Sequence, residues 1–204
     1  MKRKRAPNAV RPGRAAGQMP ERLAASAFAL FSERGINAVS VDDIAARAHV
    51  TKGSLYWHYD SKDALVKAAC NHYYRAYQRR VNSALAHIVD PVKRLERTLD
   101  TAVTTCLEDR KNRIFTTEIF TLAVHDEELR RSWRQFSDNV REFYIALVKA
   151  VTSLSTKKAE SRVDFLLSAM EGLKLRAQYE PHLCVRGCHK AIVAELKRVA
   201  LFAE

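Results

Sequence analysis

The stretch Ser40-Val-Asp-Asp-Ile-Ala-Ala-Arg-Ala-His-Val-Thr-Lys-Gly-Ser-Leu-Tyr-Trp-His-Tyr-Asp-Ser-Lys-Asp-Ala-Leu65 decides the reading of this chain. Ser40 is a side-chain acceptor for the start of a helix, and Asp43, three residues on, is its capping-box partner. Val41, Ile44, Ala45 and Ala48 then mark one inner face. His49-Val50 makes a turn, and a short helix runs from about Thr51 to Trp57. Asp60-Ser61 breaks it, and Ser61 caps a longer helix with Leu65, Ala68, Ala69, His72, Tyr73 and Ala76 along one side. Two short helices joined by a tight turn are a helix-turn-helix, whose second helix is the one that meets duplex DNA.

Working outward, a helix begins at Pro20 on the N-terminal side. Ala24, Ala27, Phe28 and Phe31 recur at i, i+3, i+4 and i+7, and Gly35 stops the helix in the C-cap position. Residues 1–19 are Arg, Lys, Pro, Gly and Ala without periodicity and read as a disordered basic arm. Such an arm either enters a minor groove or serves as a solubilising tail. On the C-terminal side Asp90-Pro91 is the next break, since Pro is best tolerated in a helix's first turn. Helices follow at about 91–108, 111–124, 126–153, 157–179 and 186–203. The strongest is 126–153, where Leu129, Trp133, Phe136, Val140, Phe143, Leu147 and Val151 repeat at steps of four and three. The fold class is therefore all-α, with about nine helices. The expected organisation is the arm, a helix-turn-helix domain over 20–66 and a larger helical body over 67–204.

Composition fits this. The chain has 204 residues, six glycines, five prolines and a net charge of +12. Residues 1–20 carry +6, residues 21–60 carry −1 and the remainder carries +7. A basic chain suits a polyanionic partner. No long uncharged apolar run and no apolar segment behind the basic N-terminus are present, so neither a membrane span nor a secretory signal is expected. A cytoplasmic location and reduced thiols at Cys70, Cys106, Cys184 and Cys188 follow as expectations. Gly-x-Ser-x-Gly, a phosphate loop, paired catalytic carboxylates and His-Glu-x-x-His are all missing, so the chain is not read as an enzyme.

The short helix needs a buried and a wet side. Val50 and Leu55 can pack inward against Ile44, Ala45, Phe28 and Phe31, which leaves Thr51, Lys52, Gly53, Ser54, Tyr56, Trp57 and His58 to a ligand. Lys52 can donate to guanine O6 or N7, Gly53 allows close backbone approach, and Tyr56 offers a ring to a thymine methyl. Ser40, Ser54 and His58 are short donors for phosphates. Lys62 lies in a helix's first turn, where unpaired N–H groups also face an anion. Lys52, Gly53 and Tyr56 would specify, and Ser40, Ser54, His58 and Lys62 would position.

Residues 21–66 resemble the DNA-binding domain of the TetR/AcrR family of bacterial transcriptional regulators. The resemblance is carried by Ala27-Phe28…Phe31, Gly35, Ser40-Val41…Ile44-Ala45, Ala48…Val50-Thr51-Lys52-Gly53-Ser54-Leu55-Tyr56-Trp57-His58-Tyr59 and Ser61-Lys62…Leu65. It covers about a quarter of the chain. One departure stands out: the family usually has Gly where this chain has His49. The resemblance implies a homodimer of nine or so helices, a C-terminal effector pocket and a dimer surface of two helices per subunit. It implies a repressor released from a palindromic operator on double-stranded DNA by a small-molecule effector. An effector-independent DNA-binding protein, acting in chromosome organisation or through a protein partner, is the alternative. Segment 163–176 loosely resembles the choline-responsive BetI-type repressors, without carrying their effector with it.

In the C-terminal body the expected pocket lies between helices 91–108, 111–124, 126–153 and 157–179. Its lining candidates are Phe115, Glu118, Ile119, Leu122, Trp133, Phe136, Asn139 and Phe143, with plain core packing as the competing reading. Val163, Leu166, Leu167, Met170 and Leu173 form one apolar stripe; Ile192, Val193, Leu196, Val199 and Ala200 form another. From these, Leu166, Met170, Leu173, Ile192, Leu196 and Val199 are expected at a four-helix dimer interface, against the alternative that they face their own subunit's core. His182, Cys184, Cys188 and His189 form a His-x-Cys-x-x-x-Cys-His cluster. Its spacing matches common zinc sites poorly, so neither a metal nor another cofactor is expected.

Overall fold

The computed structural model describes residues 14–180 and 187–201. Among them the order is α1 (Arg14–Arg34), α2 (Val41–Arg47), α3 (Lys52–Tyr56), α4 (Lys62–Leu85), α5 (Pro91–Ala102), a π-helical segment (Val103–Glu108), α6 (Arg110–Ala123), α7 (Glu127–Val151), α8 (Thr156–Tyr179) and α9 (His189–Leu201). No strand occurs among the described residues, and no helix there is long and apolar enough to cross a membrane.

The local signals act as the sequence dictates. The side-chain oxygens of Ser40, Ser61, Asp90 and Asp126 accept backbone N–H groups at the starts of α2, α4, α5 and α7, satisfying donors that a helix start leaves unpaired. At Ser40 the capping box with Asp43 is complete. One expectation is corrected. α1 does not begin at Pro20 but at Arg14, so residues 14–19 of the expected arm are helical and Pro20 lies inside the helix. A proline costs one backbone hydrogen bond there, and the flanking Ala15, Ala16, Gln18 and Met19 are helix formers. The Pro20 carbonyl also accepts the Tyr59 hydroxyl at 3.0 Å. Residues 1–13 of the arm lie outside the described residues.

Two apolar cores organise the chain. The first joins Leu23, Ala27, Leu30 and Phe31 of α1 to Ile44, Ala45, Leu55, Leu65, Ala69 and Tyr73. It is closed by Phe115, Ile119, Ala123 and Leu129 from α6 and α7. The second is built from Leu95, Leu99, Val103, Leu107, Tyr144, Val148, Val163, Leu166 and Leu196. The DNA-reading head is therefore packed directly on α6 rather than hung from α4 alone. In the π-helical segment the wider winding is visible where the Asp109 N–H reaches back to the Thr104 carbonyl at 3.2 Å.

Candidate nucleic-acid interface and effector cavity

α2 and α3 meet through a turn that closes α2 with two reverse bonds. The His49 N–H reaches the Ala46 carbonyl and the Val50 N–H reaches Ala45, both at 3.0 Å. This is a Schellman closure, and it requires a left-handed residue. His49 supplies it with φ +53°. The turn then sets the roll of α3. Leu55 is fully buried and Val50 packs partly on the same core, which turns the opposite face outward.

On that face Thr51, Lys52, Gly53, Tyr56 and Trp57 are exposed, with Ser54 and His58 half-buried beside them. Thr51 caps α3 by accepting the Ser54 N–H at 3.1 Å. Lys52 is held only by an exposed pair with Asp42 at 2.9 Å, so its ammonium can leave at little cost. A side chain at Gly53 would meet nothing of the protein within 4 Å, so no internal packing demands glycine there. Trp57 is 82% exposed, its ring edge-on to His58 at 4.8 Å. Lys62, in the first turn of α4, is half-buried, and Ser40 is exposed at the start of α2. Of the nine residues singled out for DNA, six are exposed, and Ser54, His58 and Lys62 are half-buried.

Below the head, α4, the π-helical segment, α6, α7 and α8 enclose a cavity of about 200 Å³. Trp133 and Phe136 of α7 line it, but Phe115, Glu118, Ile119 and Leu122 do not. α6 does wall the cavity, but with a different face from the one expected. Phe115 and Ile119 are fully buried in the first core, where Phe115 stacks edge-on to Phe28 at 4.9 Å. Glu118 accepts the backbone N–H of Ile36, and Leu122 is exposed. The cavity side of α6 is Asn112, Thr116 and Phe120. Asn139 and Phe143 line a separate neighbouring cleft of about 280 Å³ with Tyr77 and Val81.

The cavity also holds residues that periodicity did not suggest: Tyr73, Tyr77, Tyr144, Glu171 and Lys174. Lys174 has a side chain only 8% exposed; its ammonium pairs with Glu171 and sits 6.0 Å from the Trp133 ring centroid. Desolvation pushes the Tyr73 and Tyr77 hydroxyls well above the usual phenol range and the Cys106 thiol up to about 11. These groups are uncharged at neutral pH.

Of the residues expected at a dimer interface, three are taken up by the subunit's own core and three are partly so. Leu166, Met170 and Leu196 are buried within their own subunit, and Leu173, Ile192 and Val199 pack partly on the same core. Met170 lines the cavity. The strongest aliphatic stripe of a helix goes to the nearest core, and here that core is intramolecular. The face of α8 left outward carries Phe165, Ser168, Gly172, Leu175 and Tyr179 at steps of three and four. Of the Cys/His cluster, His182 and Cys184 lie outside the described residues. Cys188 is exposed. His189 is engaged on both ring nitrogens, with Asp100 at 2.8 Å and Glu108 at 2.9 Å. Among the described residues no group of three or more such side chains is placed to hold a metal ion.

Residues 23–69 match the sequence model of the bacterial regulatory proteins of the tetR family. The HTH-type transcriptional repressor DhaR of Mycobacterium sp. (strain GP1) is 30% identical over 161 residues, an alignment covering 74% of this chain and 78% of DhaR. The chain belongs to the TetR family. The same fold is seen in a transcriptional regulator from Rhodococcus sp. Rha1, with a TM-score of 0.75 at 23% identity, over 88% of this chain and 95% of that one. A transcriptional regulator from Saccharomonospora viridis, solved in complex with choline, gives 0.78 at 16% identity over 89% and 96%. As a TetR-family protein the chain is a helix-turn-helix DNA-binding transcriptional regulator, and its curated relatives include repressors.

Proposed function

We propose that this TetR-family regulator is a dimeric repressor that holds a palindromic operator and releases it when a small molecule fills the cavity beneath the reading head. One observation carries this reading. α6 is shared: Asn112, Thr116 and Phe120 wall the cavity, while Phe115, Ile119 and Glu118 on its other side hold the head. A ligand that displaces α6 must displace what the head rests on. Release then requires only that the ligand bind better to a state whose two heads no longer match successive grooves.

In this reading Lys52, Gly53 and Tyr56 read bases, with Thr51 and Trp57 at the edges of the contact. Ser40, Ser54, His58 and Lys62 hold phosphates. Two copies meet through the outward face of α8, where Phe165, Leu175 and Tyr179 flank the small Ser168 and Gly172 and let the helices approach closely. Two-fold symmetry of the protein sets two-fold symmetry of the operator, with half-sites one helical turn apart, about 34–36 Å.

The test is selection of bound fragments from random DNA by the purified full chain, followed by a screen for compounds that release them. The expected outcome is an inverted-repeat consensus bound by an even number of chains, with affinity falling steeply as salt rises. A monomeric complex on an asymmetric site overturns it, as does a failure of every compound to weaken binding.

A further inference from the structure

Resting on the reading of this cavity as the effector site, we infer that it takes a small aromatic carboxylate, bound through Lys174 and Tyr144. The cavity has a built polar end. Lys174 is a charged side chain almost wholly removed from water, whereas its partner Glu171 is 61% exposed. An ammonium buried to that degree needs a counter-charge. Glu171 supplies one from the rim and can swing into water with little desolvation cost. A ligand carboxylate can therefore take its place while Lys174 stays paired throughout.

The second observation is independent of the ion pair. The Tyr144 hydroxyl is buried, lines the same cavity and has no hydrogen-bond partner of good geometry, although the Tyr77 hydroxyl is nearby. An unmade bond at a buried hydroxyl is destabilising, and a ligand oxygen would satisfy it. Two other polar groups of the wall are already engaged: Asn112 Nδ2 donates to the Thr105 carbonyl at 3.0 Å and Thr116 Oγ1 to the Asn112 carbonyl at 2.8 Å. One ammonium and one phenol match the two oxygens of a carboxylate. They fall short of a phosphate's charge and three oxygens, which this wall would leave unsatisfied.

The rest of the wall gives the body of the ligand. Tyr73, Tyr77, Trp133 and Phe136 present ring faces and edges, the surroundings an aromatic ring prefers. The same rings would suit a quaternary ammonium, but the Lys174 ammonium already lies near the Trp133 ring and would repel a second cation.

The chain has two tryptophans, Trp57 and Trp133, so in a Trp57→Phe background fluorescence reports the cavity alone. The probes are benzoate and 3-phenylpropionate, with benzyl alcohol as neutral control and benzyltrimethylammonium and choline as cations. The carboxylates should change Trp133 emission saturably, and the neutral and cationic compounds should bind about tenfold or more weakly. Lys174→Met should weaken carboxylate binding about tenfold or more, the loss of one charge-assisted bond, and Tyr144→Phe should weaken it several-fold. Glu171→Gln should tighten it, because the competing carboxylate is gone. That sign also keeps the test decisive if Lys174→Met fails to fold. If the alcohol or the cations bind as well as benzoate, or Glu171→Gln weakens carboxylate binding, the assignment is overturned while the effector site stands. If no probe of any charge perturbs Trp133, both fall.

Discussion

Glu118 of α6 caps the end of α1 from 82 residues away, accepting the backbone N–H of Ile36. Gly35, with φ +85°, closes α1 by one bond from its own N–H to the Phe31 carbonyl at 2.9 Å. In a full Schellman closure the next N–H would bond the same helix; here it goes to the carboxylate instead. Glu118→Ala leaves a buried donor unpaired and should lower stability by about 1–3 kcal/mol. It should also blunt the release of operator by effector about tenfold or more. Operator titrations with and without effector check this; unchanged coupling would show that the contact is only structural.

Gly35→Ala should be costly on two counts. The left-handed φ penalises any Cβ by about 1–2 kcal/mol, and that Cβ would lie 2.6 Å from Glu118 Oε1. The Glu118 carboxylate must then move and lose Ile36. Denaturant midpoints of Gly35→Ala, Glu118→Ala and the double variant measure this, and the two losses should be clearly less than additive.

His49 holds the turn before α3 at φ +53°, a conformation that costs a non-glycine residue about 1 kcal/mol. His49→Gly should leave stability unchanged or raise it by up to about 1 kcal/mol, with operator affinity retained. A large loss in thermal melting would mean that the imidazole itself supports the turn.

On the reading face, Lys52→Ala should cost about 1–3 kcal/mol of operator affinity and relax the preference at one base pair. Lys62→Ala should weaken all sequences alike and reduce the salt slope by about 1. Thr51→Ala acts differently, because Thr51 caps α3. It should lower both affinity and stability, the latter by about 1 kcal/mol. Competition binding on single-base operator variants separates the three.

His189 at the start of α9 bridges Asp100 and Glu108. The hydrogen bond to Asp100 and that to Glu108 raise its pKa above the usual imidazole value, against a partial offset from burial. A group whose folded pKa is raised stabilises most below its unfolded value, near 6.5. That stabilisation is lost as pH climbs through the folded value. His189→Gln should therefore destabilise the chain more at pH 6 than at pH 9, as read from urea midpoints at the two pH values.

The head was legible because its signals are local. The Ser40–Asp43 box, the Leu55 knob and the caps at Ser61 and Asp90 depend on neighbours within a turn or two, and the structure repeats each of them. The faces of α6 and α8 were not legible. The apolar stripe of α6, Phe115 and Ile119, serves the head, while its cavity side is the mixed Asn112, Thr116 and Phe120, which an apolar periodicity does not pick out. On α8 the aliphatic Leu166 and Met170 outcompeted Phe165 and Tyr179 as the apparent interface, yet they turn inward. Lys174 gave no signal at all, since a lysine on a helix is exposed by default. Its pair with Glu171 is local to α8, but its burial comes from the tertiary fold, which brings Trp133 of α7 against it.

α4 runs unbroken from Lys62, beside the operator-facing surface, past Tyr77 at the cavity to Leu85. From Tyr77 to Lys62 is about 22 Å of stiff rod at 1.5 Å per residue. A tilt of about 5° pivoting near Tyr77 would carry Lys62 roughly 2 Å sideways over such a length. Displacement is geared up along the rod, so under the proposed mechanism an ångström-scale adjustment around a bound guest would suffice to spoil the register of two heads on a double helix.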